Sequence, residues 1–231
     1  MKWALYERLR MAAAAGTSSA VVTRLADGAQ AFFDGGRWEG AIELDDAQRA
    51  AVRLMLVAGR SGMLPGAQDL FVRSYARPPR LIVVGAAHIS QFLAPMATLA
   101  GFEVIVIDPR RAFASAERFP GVTLMTEWPD AALQRLKPDA TTAVVTLTHD
   151  PKLDDPALIA ALQSPAFYIG SLGSTRTHAK RVARLTEAGL GAQAARIHAP
   201  VGLDLGGRAP CEIAVSILSE VIQVRYRGEA A

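Results

Sequence analysis

The chain has 231 residues, 51% of them hydrophobic, enough for one large or two small cores, which excludes a disordered chain. Lys and Arg number 25 against 22 Asp and Glu, a net charge of +3, and no dense basic block is interleaved with aromatics, so no nucleic-acid partner is expected. The single cysteine, Cys211, excludes an internal disulfide framework and a CxxC metal knot, and it fits a reducing compartment.

Residues 1–15 carry charges inside an apolar run, which predicts an amphipathic helix and not a signal peptide. No stretch reaches the roughly 18 uninterrupted apolar residues of a membrane span, so no membrane contact and a cytoplasmic location are expected. SSAVVTRLA and AQAFFDGG read as two strands of a hairpin turning at Asp27-Gly28. Asp45 is a candidate N-cap for a helix over AQRAAVRLMLVAG that ends at Gly59. DLFVRSYA alternates like an edge strand. Arg77-Pro78-Pro79-Arg80 is a stiff connector and places a domain boundary, with residues 1–79 before it and 80–231 after it.

Beyond the boundary the pattern changes. RLIVVG, FEVIVID, GVTLM, TTAVVTLT, AFYIGSL and ARIHAP read as short strands. HISQFLAPMATLAG, DAALQRLKP, DPALIAALQS, STRTHAKRVARLTEAGL and CEIAVSILSEVIQVRYR read as helices. Strands that are apolar on both faces and alternate with helices predict a doubly wound, Rossmann-like parallel sheet. The last helix is apolar enough for a subunit interface, as in a homodimer, or for packing on its own sheet.

Ligands of such folds bind beyond the carboxyl ends of the strands, so the polar residues that follow each strand are the candidates. They are Gly85, Ala87 and His88; Asp108 and Arg110, with Arg111; Thr148, His149 and Asp150, with Lys152; Gly170, Ser171, Gly173, Ser174, Arg176, His178 and Lys180; and His198, Gly202 and Asp204. The four histidines all fall here, without the spacing of a metal motif, so no metal set can be assigned. SLGSTRTHAKR offers backbone N–H groups at a helix start, with Arg176 and Lys180 spaced to share a face, as a phosphate cradle would need. A glycine-capped turn ahead of a solvated basic face would read the same way. VVGAAHIS carries half of a dinucleotide fingerprint. Ala87 stands at the middle glycine place, Ser90 at the third, and Asp108 follows Gly85 by 23 residues, where a ribose hydroxyl would be held.

RLIVVGAAHIS, FEVIVIDPRRAFASAERFP, VVTLTHDPKLDDPAL, FYIGSLGSTRTHAKR and IHAPVGLDLGGRAPCEIAVSILSEVI together resemble the XdhC/CoxI family, accessory factors for molybdenum hydroxylases such as xanthine dehydrogenase and carbon monoxide dehydrogenase. The resemblance implies an α/β Rossmann-like carboxy-terminal domain behind a smaller α+β domain. It implies a chaperone that binds molybdenum cofactor (molybdopterin) as cargo, assists its sulfuration by a cysteine desulfurase, and passes it to the apo-enzyme of the hydroxylase. On that reading Ser171, Ser174, Arg176 and Lys180 suit the phosphate, Asp108, Asp150 and Asp204 accept pterin N–H groups, and the histidines face the metal's oxo or sulfur ligands. Two departures stand out. The family's G-A-G-H loop is Gly85-Ala86-Ala87-His88 here, and residues 1–79 hold no cysteine, where many members carry one. The competing reading is an NAD(P)-dependent oxidoreductase with His149 as its acid. A third is a protein with a purely structural role.

Overall fold

The computed structural model describes residues 3–34 and 36–227. Met1 and Lys2 of the expected first helix, Gly35 of the expected second strand and the last four residues of the chain lie outside them. The chain divides into two compact units, Met1–Arg77 and Pro78–Ala231.

In the first unit, α1 (Trp3–Ala14) precedes the hairpin β1 (Ser19–Arg24) and β2 (Gln30–Phe33), and β3 (Trp38–Gly40) adds a short outer strand. α2 (Asp46–Val57) follows, and then β4 (Gly62–Met63) and β5 (Leu70–Tyr75). α2 starts where it does because Asp45 and Gln48 form a reciprocal capping box, the Asp45 carboxylate accepting the Gln48 N–H at 2.8 Å. The five strands form an antiparallel sheet in the order β3-β2-β1-β5-β4. β5 is therefore an interior strand, contrary to its edge-like alternation. β1 pairs along its whole length and β4 covers Phe71 and Val72, while the Ser61 hydroxyl takes the Ser74 N–H at 3.0 Å. The pattern misleads because alternation reports buried and exposed faces, not edges: Leu70 and Val72 are buried, whereas Arg73 and Tyr75 of the other face are exposed. Val52, Met55 and Leu56 of α2 pack on Val22, Phe33 and Val72, whereas Leu9 and Ala12 of α1 pack on Val21 and Phe32 of the opposite face.

The second unit runs β6 (Arg80–Val84), α3 (His88–Leu99), β7 (Glu103–Ile107), β8 (Thr123–Met125), α4 (Pro129–Leu136), β9 (Thr142–Thr146), α5 (Pro151–Leu162), β10 (Tyr168–Ser171), α6 (Thr175–Glu187), β11 (Ile197–His198) and α7 (Pro210–Arg227). All six strands are parallel, in the order β11-β10-β9-β6-β7-β8. Alternation within each strand supplies two cores. Leu81, Val83, Val104, Val106, Ala143 and Val145 face α3 and α7. Ile82, Val84, Ile105, Ile107, Val144 and Ile169 face α4, α5 and α6. The closing helix thus packs on its own unit, through Ala214, Ile217 and Val221, all fully buried. Among the described residues no helix is long and apolar enough to cross a membrane. Both sheets finish on strands of two or three residues: β3 and β4 in one, β8 and β11 in the other.

Candidate functional site

The strand order reverses between β6 and β9, so the loops after these strands flank the crevice where doubly wound folds bind ligands. One wall is Gly85-Ala86-Ala87-His88. Gly85 has φ +111°, and a side chain there would lie 2.6 Å from the Thr148 methyl of the other wall, so only glycine closes this contact. The Ser90 hydroxyl is fully buried and donates to the Gly85 carbonyl, fixing the turn. Ala87 is the N-cap of α3 and supplies no side-chain cap. The first N–H groups of α3 therefore have no side-chain cap, and they stand at the positive end of the helix dipole. The starts of α5 and α6 differ. Asp150 accepts the Lys152 N–H at 3.0 Å, and Ser174 accepts the Thr177 N–H at 3.2 Å. On the second wall His149 has φ +62°, a left-handed conformation that a non-glycine residue adopts at a cost, and its ring is exposed, like that of His88.

Several predicted residues are occupied by the protein itself. Asp108 is fully buried, and it accepts from the Ala86 N–H at 2.8 Å and from Arg110 through its backbone N–H, Nε and Nη2 at 2.8–2.9 Å. Burial pushes the Asp108 carboxyl up, but the Arg110 and backbone bonds prevail and hold it below the usual carboxylate range. Arg110 in turn lies 4.7 Å from the Phe113 ring centre and within the fields of Asp150 and Asp154. The buried Ser171 hydroxyl is paired with Thr146 Oγ1 at 2.6 Å, not open to a phosphate. Gly170 makes room for the Tyr168 ring, whose Cε1 would lie 2.8 Å from any added Cβ. Gly173 stands beside Thr177, and Arg176 and Lys180 are exposed at the start of α6.

Beneath these loops lies an ionic cluster. Thr148 Oγ1 donates to Asp154 Oδ1 at 2.6 Å and accepts the Asp150 N–H at 3.0 Å. Asp154 Oδ2 is 4.0 Å from Arg181 Nη2, which donates to the Leu172 carbonyl at 3.0 Å. Both side chains are buried, and among the described residues Asp154 Oδ2, Arg181 Nε and Nη1, and the nearby His178 Nδ1 have no hydrogen-bond partner. Burial raises the Asp154 pKa and lowers that of Arg181. Burial and then the charge of Arg181 lower that of His178. The basic pattern of α6 reads as a solvated face, and Arg181 departs from it by turning inward.

At the far end of the edge, Glu220 of α7 organises a second cluster. Its Oε2 accepts the Tyr168 O–H at 2.6 Å and the Gly202 N–H at 2.7 Å, and its Oε1 lies 3.0 Å from His198 Nδ1. Gly202 has φ +95°, and a side chain there would strike Ser216 of α7. Burial and the Glu220 carboxylate raise the Tyr168 pKa far above its ordinary value. Asp204 stays exposed in a turn, taking the Gly206 N–H at 3.2 Å. Cys211 is a half-buried free thiol at the start of α7. Glu220, Tyr168 and Asp154 are not among the residues the sequence singles out. A lone carboxylate beside Ile217 and Val221 on an otherwise buried helix face is the available signal for Glu220. Among the described residues no three His, Cys, Asp or Glu side chains gather as a metal set.

Residues 81–221 match the family described as the XdhC Rossmann domain. The chain belongs to the XdhC family. Among curated XdhC-like relatives, it is 33% identical over 83% of its length to a Bacillus subtilis protein named as a probable subunit of xanthine dehydrogenase, covering 55% of that protein. It is 33% identical over 65% of its length to the Escherichia coli "molybdenum cofactor insertion chaperone PaoD", covering 41% of it. Escherichia coli YqeB is 34% identical over 69% of this chain and 30% of its own. The chain thus spans about half or less of the curated relatives it matches. A solved structure described as a xanthine dehydrogenase from Bacillus halodurans aligns with 97% of this chain and 63% of its own, at a TM-score of 0.69 and 25% identity.

Proposed function

We propose that this XdhC-family chain is a molybdenum cofactor chaperone. It binds the cofactor as cargo at the carboxyl edge of the parallel sheet, holds it during sulfuration by a cysteine desulfurase, and passes it to the apo-form of a xanthine dehydrogenase type hydroxylase. The similarity to the molybdenum cofactor insertion chaperone PaoD carries the reading for the cargo. The Bacillus subtilis relative's name supports the kind of recipient.

The geometry suits a phosphorylated heterocycle. The uncapped start of α3 offers free N–H groups to the phosphate, and Ala87 leaves less room than the glycine a pyrophosphate needs. His88 and His149 stand exposed on the two walls of the same crevice. Arg176 and Lys180, exposed on α6, add positive potential that steers an anion to the edge. An NAD(P)-dependent oxidoreductase is the second reading, favoured by the Rossmann strand order. The closed Asp108–Arg110 clamp weighs against it, because no carboxylate oxygen is left for a ribose hydroxyl.

The test is anaerobic binding of molybdenum cofactor, with NADPH in parallel, to the wild type, Ala87→Asp and Arg176→Ala. Asp at an N-cap supplies the missing side-chain acceptor and stabilises a helix by about 0.5–2 kcal/mol over Ala. Ala87→Asp is therefore expected to melt higher yet to bind the anionic cargo at least tenfold more weakly. Undiminished binding by this variant together with loss in Arg176→Ala would move the phosphate to α6. Tight NADPH binding with none of the cofactor would overturn the chaperone reading.

A further inference from the structure

The geometry points to His198 as a ligand-contacting residue. Its Nε2 is a hydrogen-bond acceptor for an N–H group of a heterocycle bound at the β10–β11 end of the carboxyl edge. The inference deepens the cargo reading above and rests on it, the heterocycle being the pterin.

The tautomer follows from counting donors. The Glu220 carboxylate has only lone pairs to offer, and Oε2 already accepts the Tyr168 O–H and the Gly202 N–H. Oε1 faces His198 Nδ1 at 3.0 Å, so Nδ1 carries the hydrogen, and in the neutral imidazole Nε2 keeps its lone pair. The stack on Tyr168, with centroids 4.6 Å apart at 26°, holds the plane of the ring, and the Nδ1 contact with Glu220 sets which edge faces outward. Tyr168 is itself fixed: its ring is buried and crosses Gly170, where any side chain would displace it. The imidazole is nonetheless 31% exposed, and Nε2 has no protein partner among the described residues and is not one of the buried unpaired atoms. Glu220 of α7 and Tyr168 of β10 thus hold one ring so that a single nitrogen faces outward. Carboxylate–histidine pairs that fix the outer nitrogen in this way are a recurrent means of preparing it for a ligand.

The placement fits the cargo. His198 pairs with Gly170, one residue short of the level at which Ser171, Thr146 and Val84 align, so it reaches the same edge as the crevice loops. Three strand spacings separate β11 from β6, about 14 Å. A free phosphate at the start of α3 would not reach His198, whereas a pterin with a phosphate tail is extended enough to approach both.

Glu220 acts through the imidazole and is a positioning residue. The Glu220→Gln variant separates this role from simple packing. Gly202 N–H can only donate, so the amide oxygen must stay at the Oε2 place and the amide NH2 must turn to His198. Nδ1 then becomes the acceptor and Nε2 gains the hydrogen.

The experiment is a long-range 1H–15N spectrum of the four imidazoles in the full chain labelled at histidine. It is recorded with and without molybdenum cofactor under anaerobic conditions, with bound molybdenum counted in parallel. His198 is expected to show a protonated Nδ1 and a bare Nε2 whose resonance moves on binding. Glu220→Gln is expected to invert the tautomer, and Glu220→Gln and His198→Gln each to weaken binding up to about tenfold, the worth of one hydrogen bond. Stoichiometric binding with the His198 Nε2 signal unmoved, and with His198→Gln binding as tightly as the wild type, would overturn the inference and leave the chaperone reading standing. No cofactor bound at all would overturn both. An Nε2 signal moved by NADPH and not by the cofactor would overturn the assignment to a pterin.

Discussion

Asp108 stands where a dinucleotide fold keeps an acidic residue for the ribose, yet its two oxygens already accept from Ala86 and from Arg110. Sequence spacing locates it correctly at the end of its strand and cannot reveal that the arginine two residues on folds back over it. Its carboxyl is held below the usual range, so its contribution to stability is present above the unfolded value of 3.8 and is lost as pH falls through the folded value. Arg110→Ala removes the charged partner and leaves burial to push the carboxyl up. The variant is expected to lose about 1.5–3 kcal/mol at pH 7, with the deficit shrinking towards pH 3 as Asp108 takes up a proton. Denaturant titrations at the two pH values check this; a deficit equal at both would mean the clamp is not electrostatic. His149 gives the opposite signature. Relieving its left-handed backbone with His149→Gly is expected to raise stability by up to about 1 kcal/mol, less what glycine costs through the unfolded chain. If the exposed ring touches cargo, the same variant binds it more weakly while melting no lower, and a thermal melt read beside a binding isotherm separates the two effects.

The strands and helices of the second unit are legible because each strand is a short apolar run and its helices, the uncapped α3 excepted, carry a cap or breaker at their start. Asp150, Ser174 and the proline at the start of α4 are examples. The first unit is harder. β3 and β4 are too short to show a period, and β5 looks like an edge because its neighbour on one side is the two-residue β4, beyond which the Ser74 N–H meets the Ser61 hydroxyl. The site is legible as a set of loops but not as a set of contacts. Arg181 shows why: a basic helix reads as solvated, whereas this arginine turns inward between α5 and α6 to meet Asp154. Breaking that buried pair from one side leaves an uncompensated charge, so Asp154→Ala is expected to cost about 3–5 kcal/mol. The double variant Asp154→Leu with Arg181→Met removes both charges and the three unpaired atoms they hold, and it should recover most of the loss. A double-mutant cycle of Asp154→Leu, Arg181→Met and the double variant, read by chemical denaturation, tests this. Additive losses would show that the two side chains act apart.

Each unit has its own hydrophobic core: α1 and α2 against the antiparallel sheet, and five helices against the parallel one. Residues 78–231 expressed alone are therefore expected to unfold cooperatively and, on the proposed reading, to bind molybdenum cofactor as tightly as the full chain, as calorimetry and a binding isotherm would show. A fragment that failed to melt cooperatively would mean that the first unit supplies part of the second unit's stability.

The brevity of the four outer strands carries a consequence for life at high concentration. An open sheet is a template on which a stray chain can add its own strand, and the hazard grows with the length of unpaired ladder on display. Here each outermost strand is only two or three residues long, few rungs for a foreign segment to register on. Among the described residues neither sheet ends on a long strand, a form of protection against fibrous self-association that does not depend on whether the chain carries anything.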